Sequence, residues 1–309
     1  MLRAFVLIIV GLAGDPEHAE LFHKWGAALS AASEKAGVAR ERLAYLSDQE
    51  GDGELRVTGR ATREGIEQVF DTFAKSAAPE DVVFVTLIGH GSFDGRVAKF
   101  NLPGPDMAAA DFNTLIKKLP AKQVVFIDTT SSSGPFIPDL SGPGRTIITA
   151  TRNGAEQFDT LFGGFFIDAL TSEAADADKN QRITMLEAFQ YAKTEVARAY
   201  EREGLLATEH SLLDDDGNKE GTATPSDAKG DGKVAALVSL GSGKAVEELP
   251  SDPKLRTLYV ERRDLERRIE ALRLLKESMD PARYEQELEK TATDLALKNR
   301  EIRQIEGKQ

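Results

Sequence analysis

The sequence contains no cysteine. That absence excludes disulfides, thiolate-bound metals and a cysteine nucleophile. It leaves the redox compartment open, because a cysteine-free chain suits either environment. Long apolar runs are also missing: nothing approaches the roughly 18 residues that a membrane-spanning helix needs. Bases are in the minority, with 39 Lys and Arg against 51 Asp and Glu and a formal net charge of -12. Phosphates are neutralised by clustered Lys and Arg, so this balance argues against nucleic acid as a partner.

What is present describes an ordinary globular chain. It has 309 residues, 41% of them hydrophobic and 29% charged, enough for one larger α/β domain and a smaller module. Leu2-Arg3 followed by the apolar stretch Ala4 to Val10 resembles a short secretory leader. A buried first strand is the better reading, because the run is rich in β-branched residues, ends in Gly11 and Gly14, and leads straight into an amphipathic segment. A leader removed ahead of Met1 would place the protein in the cell envelope or periplasm. The sequence alone leaves the compartment open.

Periodicity predicts strands at 3–12, 42–47, 82–88, 124–127 and 145–150. Between them, apolar residues recur at helical spacing over 18–36, 62–75 and 112–119, and two further helices are expected around Gly163 to Ile167 and over Leu186 to Tyr200. Strands alternating with helices of this length imply right-handed crossovers, hence an α/β domain with a mostly parallel, doubly wound sheet covered on both faces. That domain is expected to span 1–204. Residues 205–253 turn to Asp, Gly, Ser, Thr, Lys and Pro, which predicts an acidic mobile loop or linker. Residues 254–309 return to three- and four-residue apolar steps interrupted by Pro281, which predicts a C-terminal α-helical hairpin or coiled-coil segment that packs on its own domain or assembles with a partner.

Sites in open α/β sheets form at the carboxyl ends of strands. The strand at 82–88 ends in Gly89-His90-Gly91-Ser92, and the strand at 124–127 ends in Asp128-Thr129-Thr130-Ser131-Ser132-Ser133-Gly134. A His between glycines stands clear of bulk and lets backbone approach a ligand. A hydroxyl cluster supplies candidate nucleophiles or simply a polar turn.

A strand ending in His-Gly, followed by a second strand leading into Cys-x-Ser-Gly, is the pattern of the legumain and caspase clan of cysteine peptidases, clan CD. The chain resembles that clan over roughly 3–202. The resemblance implies a caspase/legumain-like three-layer sandwich. It also implies His90 as acid/base, with the amides of Gly91 and Ser131 as oxyanion donors. Anchoring on Ser133-Gly134 puts Ser131 in the place of the thiol, whereas anchoring on Asp128 puts Thr130 there. A serine hydroxyl must give up its proton to an aligned base during attack, while a thiol with a pKa near about 8.5 is already partly ionised. The expected consequence is a pseudopeptidase that binds a peptide or protein. The alternative is a serine-dependent peptidase or hydrolase using His90 and Ser131, with Asp94 or Asp128 orienting the imidazole.

Asp176, Asp178, Asn180, Thr184 and Glu187 fall at positions 1, 3, 5, 9 and 12 of a calcium-binding EF-hand loop. Gln181 occupies the position that normally needs glycine. A helix cap by Thr184 with Glu187 completing the box is therefore favoured, with weak calcium binding as the remaining option and no other cofactor expected. His18, His23 and His210 show no partners in the sequence pattern.

Overall fold

The computed structural model describes residues 3–49, 56–177, 179, 182–240, 252–274, 276 and 279–306. The chain divides into two compact units, Ala4–Gly243 and Lys244–Gln309 together with Met1–Arg3.

The larger unit is built on a seven-stranded sheet whose order follows from the parallel crossovers. Strands β1 (Ala4–Val10), β2 (Leu43–Ser47), β3 (Gly59–Arg60), β4 (Val82–Ile88), β8 (Gln123–Asp128) and β9 (Arg145–Thr149) all run parallel to one another. An edge strand β10 (Leu212–Asp214) pairs antiparallel with β9, giving the order β10-β9-β8-β4-β1-β2-β3. Every residue of β4 and β8 is buried, so these central strands need apolar side chains on both faces and read as continuous hydrophobic runs rather than alternating ones. A small antiparallel sheet, β5 (Gly91–Phe93), β6 (Ala98–Phe100) and β7 (Met107–Ala108), branches off immediately after His90.

Helices α2 (Arg63–Ser76), α3 (Ala109–Ile116) and α4 (Phe136–Leu140) cover one face. Phe70, Phe73, Phe112 and Phe136 meet Phe5, Val83, Val85 and Phe126 there. Phe126 stands edge-on to Phe112 at 5.2 Å, within the range that favours aromatic pairs. The opposite face carries α1 (Pro16–Lys35), which packs on β1, β2 and β4 and on α5 (Phe162–Thr171), and α5 in turn packs on α6 (Met185–Glu203). The helix boundaries follow the capping chemistry. Asp15 accepts from the His18 amide with Pro16 in the first turn, and Gly204 ends α6 in the left-handed conformation. The expected α/β sandwich, mostly parallel and doubly wound, is what the chain forms.

The segment expected as a mobile linker over 205–253 behaves differently over its described part, to residue 240. It supplies β10 and a buried group comprising Leu213, Ala235 and Val238. Its acids do not repel it into solvent, because backbone amides consume them. Asp215 accepts from the amides of Gly232 and Ala235, and Asp231 accepts from those of Asp215 and Asp216. Burial raises the carboxyls of Asp214 and Asp215, and pushes Asp231 up to about 6.

The smaller unit contains α7 (Pro253–Leu274) and α8 (Pro281–Glu306), packed against each other. Leu255 and Leu258 meet Ile302 at one end, and ion pairs Glu261–Lys298 (2.7 Å) and Arg268–Glu287 (2.8 Å) set an antiparallel register. The expected hairpin is therefore present. No described helix is long and apolar enough to cross a membrane.

Candidate functional site

Three loops at the carboxyl ends of β1, β4 and β8 converge. Gly89 takes a positive φ of 149°, which a β-carbon disfavours, and turns the chain so that His90 leaves the sheet. The loop after β1 comes beside it, with Gly11 donating to the Ile88 carbonyl and Leu12 to that of Asn101. A side chain at Gly11 would meet the Phe100 ring and the Asn101 carbonyl, so only glycine lets these segments approach.

Together they open onto a cavity of about 480 Å³ lined by Leu21, Phe22, Trp25, Leu161 and Phe165 on its apolar side. Its polar side is formed by His18, His90, Thr129, Ser131, Asp159, Thr160 and Asp168. Its width depends on Gly163 and Gly164. A β-carbon on Gly164 would come within 2.8 Å of the Trp25 ring, so the pair lets α5 lie directly against α1.

The hydroxyl run after β8 sorts into separate roles. Thr130 turns inward and donates to Asp128 Oδ1 at 2.7 Å, and it does not line the cavity. Ser132 adopts φ 57° and donates to the Gly154 carbonyl at 3.0 Å, while Ser133 bonds the Thr151 hydroxyl at 3.1 Å. Those three groups hold the loop. Only Thr129 and Ser131 reach the cavity, so of the two nucleophile alternatives it is Ser131, not Thr130, that stands on its wall.

Ser131 is nevertheless engaged with backbone. Its Oγ donates to the Gly91 carbonyl at 3.2 Å and lies 3.4 Å from the Gly91 amide, which donates to it. The expected oxyanion donor at Gly91 is thus directed at the serine itself. A β-carbon at Gly91 would collide with the Ser131 carbonyl, which shows how closely the two strand ends meet.

His90 is held at both ring nitrogens. Nε2 donates to the Ala13 carbonyl at 2.9 Å, and Nδ1 lies 3.2 Å from Asp159 Oδ1. Phe22 and His18 stand edge-on to the ring at 5.2 and 4.9 Å. The acid beside His90 is therefore Asp159, not Asp128 or Asp94. Asp128 spends its hydrogen bonds on Thr130 and is fully enclosed, with Oδ2 unpartnered; burial pushes its carboxyl up to about 7. Asp94 caps its own turn through the amides of Arg96 and Val97, whose hydrogen bonds hold its carboxyl below the usual range.

His18 was not foreseen here, nor was Asp159. His18 Nδ1 contacts Asp15 at 2.7 Å and Nε2 contacts Asp159 Oδ2 at 3.2 Å. The hydrogen bond that His18 donates to the Asp15 carboxylate raises the His18 pKa. The other two histidines also have partners, His23 in Asp48 and Ser47 and His210 in Glu156. Apart from Asp15–His18, which are three residues apart at the start of α1, only long-range contacts reveal these pairs.

Of the EF-hand-like positions, Asp178 and Asn180 lie outside the described residues. Thr184 and Glu187 make the reciprocal capping box of α6, and the second Glu187 oxygen accepts from the Ala177 amide, so both carboxylate oxygens serve the helix start. At the start of α5, Glu209 accepts from the amides of Leu161 and Phe162.

Comparison with known proteins gives two findings. Residues 66–213 match the Peptidase C13 family, the legumain family of clan CD. Among solved structures, protein GSU0716 from Geobacter sulfurreducens is similar over 62% of this chain and 89% of that one, at 14% identity and a TM-score of 0.43. No curated protein matches.

Proposed function

We propose that the protein, whose residues 66–213 match the Peptidase C13 family, is a noncatalytic member of it, a pseudopeptidase whose cavity binds a peptide segment of a protein partner. The observation that carries this reading is the state of the former dyad. There is no cysteine, the Ser131 hydroxyl is bonded to the Gly91 backbone, and His90 turns Nε2 to the Ala13 carbonyl and Nδ1 toward Asp159, neither of them to Ser131. A serine without a base at hydrogen-bond distance has nowhere to send its proton, so the step that would make it a nucleophile is missing. The aromatic side of the cavity supports peptide binding, because Phe22, Trp25 and Phe165 offer apolar area with few groups to desolvate. The C-terminal helical pair acts in this reading as a coiled-coil-like assembly element, supported by the exposed apolar side chain of Leu297 on α8.

One observation favours the alternative, a serine hydrolase: Ser131, His90 and Asp159 line the same cavity. A fluorophosphonate probe and a peptide-cleavage screen separate the two. The proposal expects no labelling and no cleavage. Labelling of the wild-type chain that disappears in S131A would establish the hydrolase and end the noncatalytic reading.

A further inference from the structure

We infer that His18, His90 and Asp159 form a binding site for a divalent transition ion of the zinc class at the mouth of the cavity. Their ligand atoms all lie within 4.8 Å of one another. This inference does not depend on whether the cavity is catalytic.

The orientation of the two imidazoles carries the argument. A carbonyl only accepts hydrogen bonds, so the 2.9 Å contact between His90 Nε2 and the Ala13 oxygen puts the proton on Nε2. In the neutral ring the lone pair then sits on Nδ1, the atom facing Asp159 Oδ1 at 3.2 Å. The same logic holds for His18. Asp15 takes Nδ1–H at 2.7 Å, leaving the Nε2 lone pair directed at Asp159 Oδ2, again at 3.2 Å. Two imidazole nitrogens thus converge on one carboxylate, an arrangement satisfied either by a proton on a ring or by a cation held among the three groups.

Outer acceptors that fix the tautomer and aim the free nitrogen inward are the usual support for histidine ligands to metals. Here one short loop between β1 and α1 provides both. The spacing is compatible with an ion: tetrahedral coordination with bonds of about 2.0–2.1 Å separates neighbouring ligand atoms by about 3.3 Å, and each imidazole nitrogen lies 3.2 Å from one of the two Asp159 oxygens.

Charge points the same way. The cavity lining includes Asp159 and Asp168 but neither Lys nor Arg. Two imidazoles and one carboxylate favour zinc and its neighbours over calcium or magnesium, which prefer oxygen donors throughout. Asp159 is 62% exposed and the histidines about one quarter exposed, so an ion has a route in from solvent. Three protein ligands leave a coordination position for a group from the cavity, the pattern of open rather than structural zinc sites.

The test uses the full chain, freed of metal with a chelator and titrated with zinc alone by calorimetry. One equivalent should bind at micromolar zinc or tighter. H18A and H90A should each abolish saturable binding. D15N, which removes only an outer acceptor, should weaken it roughly 10–100-fold. D159N guards against misfolding as a cause, because the residue is exposed. It should also lose the site while its circular dichroism and melting profile stay those of the wild type. Cobalt in place of zinc should give visible absorption that vanishes in H90A. Absence of saturable binding in the wild type, or affinity unchanged in the H18A/H90A double variant, overturns the assignment.

Discussion

In the larger unit Phe5, Phe84, Phe126, Phe162 and Phe189 are fully enclosed between a sheet and helices on both faces, whereas among its described residues the helical pair buries Leu255, Leu258, Leu272, Thr291 and Ile302. The first unit buries enough to be stable by packing alone. The second is held by apolar contacts between its two helices and by ion pairs along their surface. The same mutation should therefore mean different things in the two regions.

The largest effect is expected at the aromatic cluster. F126A removes a ring wedged against Phe112 and Phe136 and should cost about 3–5 kcal/mol. Urea unfolding followed through Trp25, the sole tryptophan and a resident of this unit, measures it.

Next comes Asp128, whose buried carboxyl titrates near 7 rather than its ordinary 3.8. The folded state holds this proton more tightly than the unfolded chain, so stability from the neutral form is fully present below pH 4 and lost as pH rises through about 7. D128N cannot ionise. It should gain on the wild type between pH 4 and pH 8 by up to about 4 kcal/mol, read as diverging melting temperatures. A gain that does not vary with pH would mean that some other group governs the difference.

A smaller loss, about 1 kcal/mol, is expected for T184A, which deletes the cap of α6. Chemical denaturation of the variant measures it, and T184S should recover most of the difference. The smallest effect belongs to the helical pair. K298A breaks the Glu261 and Glu301 contacts but should shift stability by less than about 1 kcal/mol, because both carboxylates are about half exposed and well solvated. A larger shift in helix unfolding by circular dichroism would show that the pair relies on charge rather than on its leucine seam.

Much of the scaffold was legible in the chain. The run Val82 to Ile88 is buried throughout, so every position had to be apolar or nearly so, and that signal survives without structure. His90 and the hydroxyl loop were legible because a parallel sheet offers its sites only where strands end. Asp159 was not. It sits in an irregular stretch before α5, where no period marks which side chain will face inward. His18 looked like one more residue on an amphipathic helix, since its role depends on loops distant in sequence. The segment after Gly204 misled for a different reason. Its polarity matches that of a linker, but Asp215 and Asp231 are spent on amides of their own loop, a use that composition cannot distinguish from solvation.

The Glu209 clasp on the first two amides of α5 also bears on how the molecule can be divided. A fragment cut at Gly204, where composition shifts, would strand those amides, expose the edge of β9 and loosen the helix that carries Phe165 and Asp168. The smallest piece that keeps the cavity wall in place must run past β10. Trimming from the C-terminal side should therefore show an abrupt rather than gradual loss of protease resistance once the cut reaches that strand.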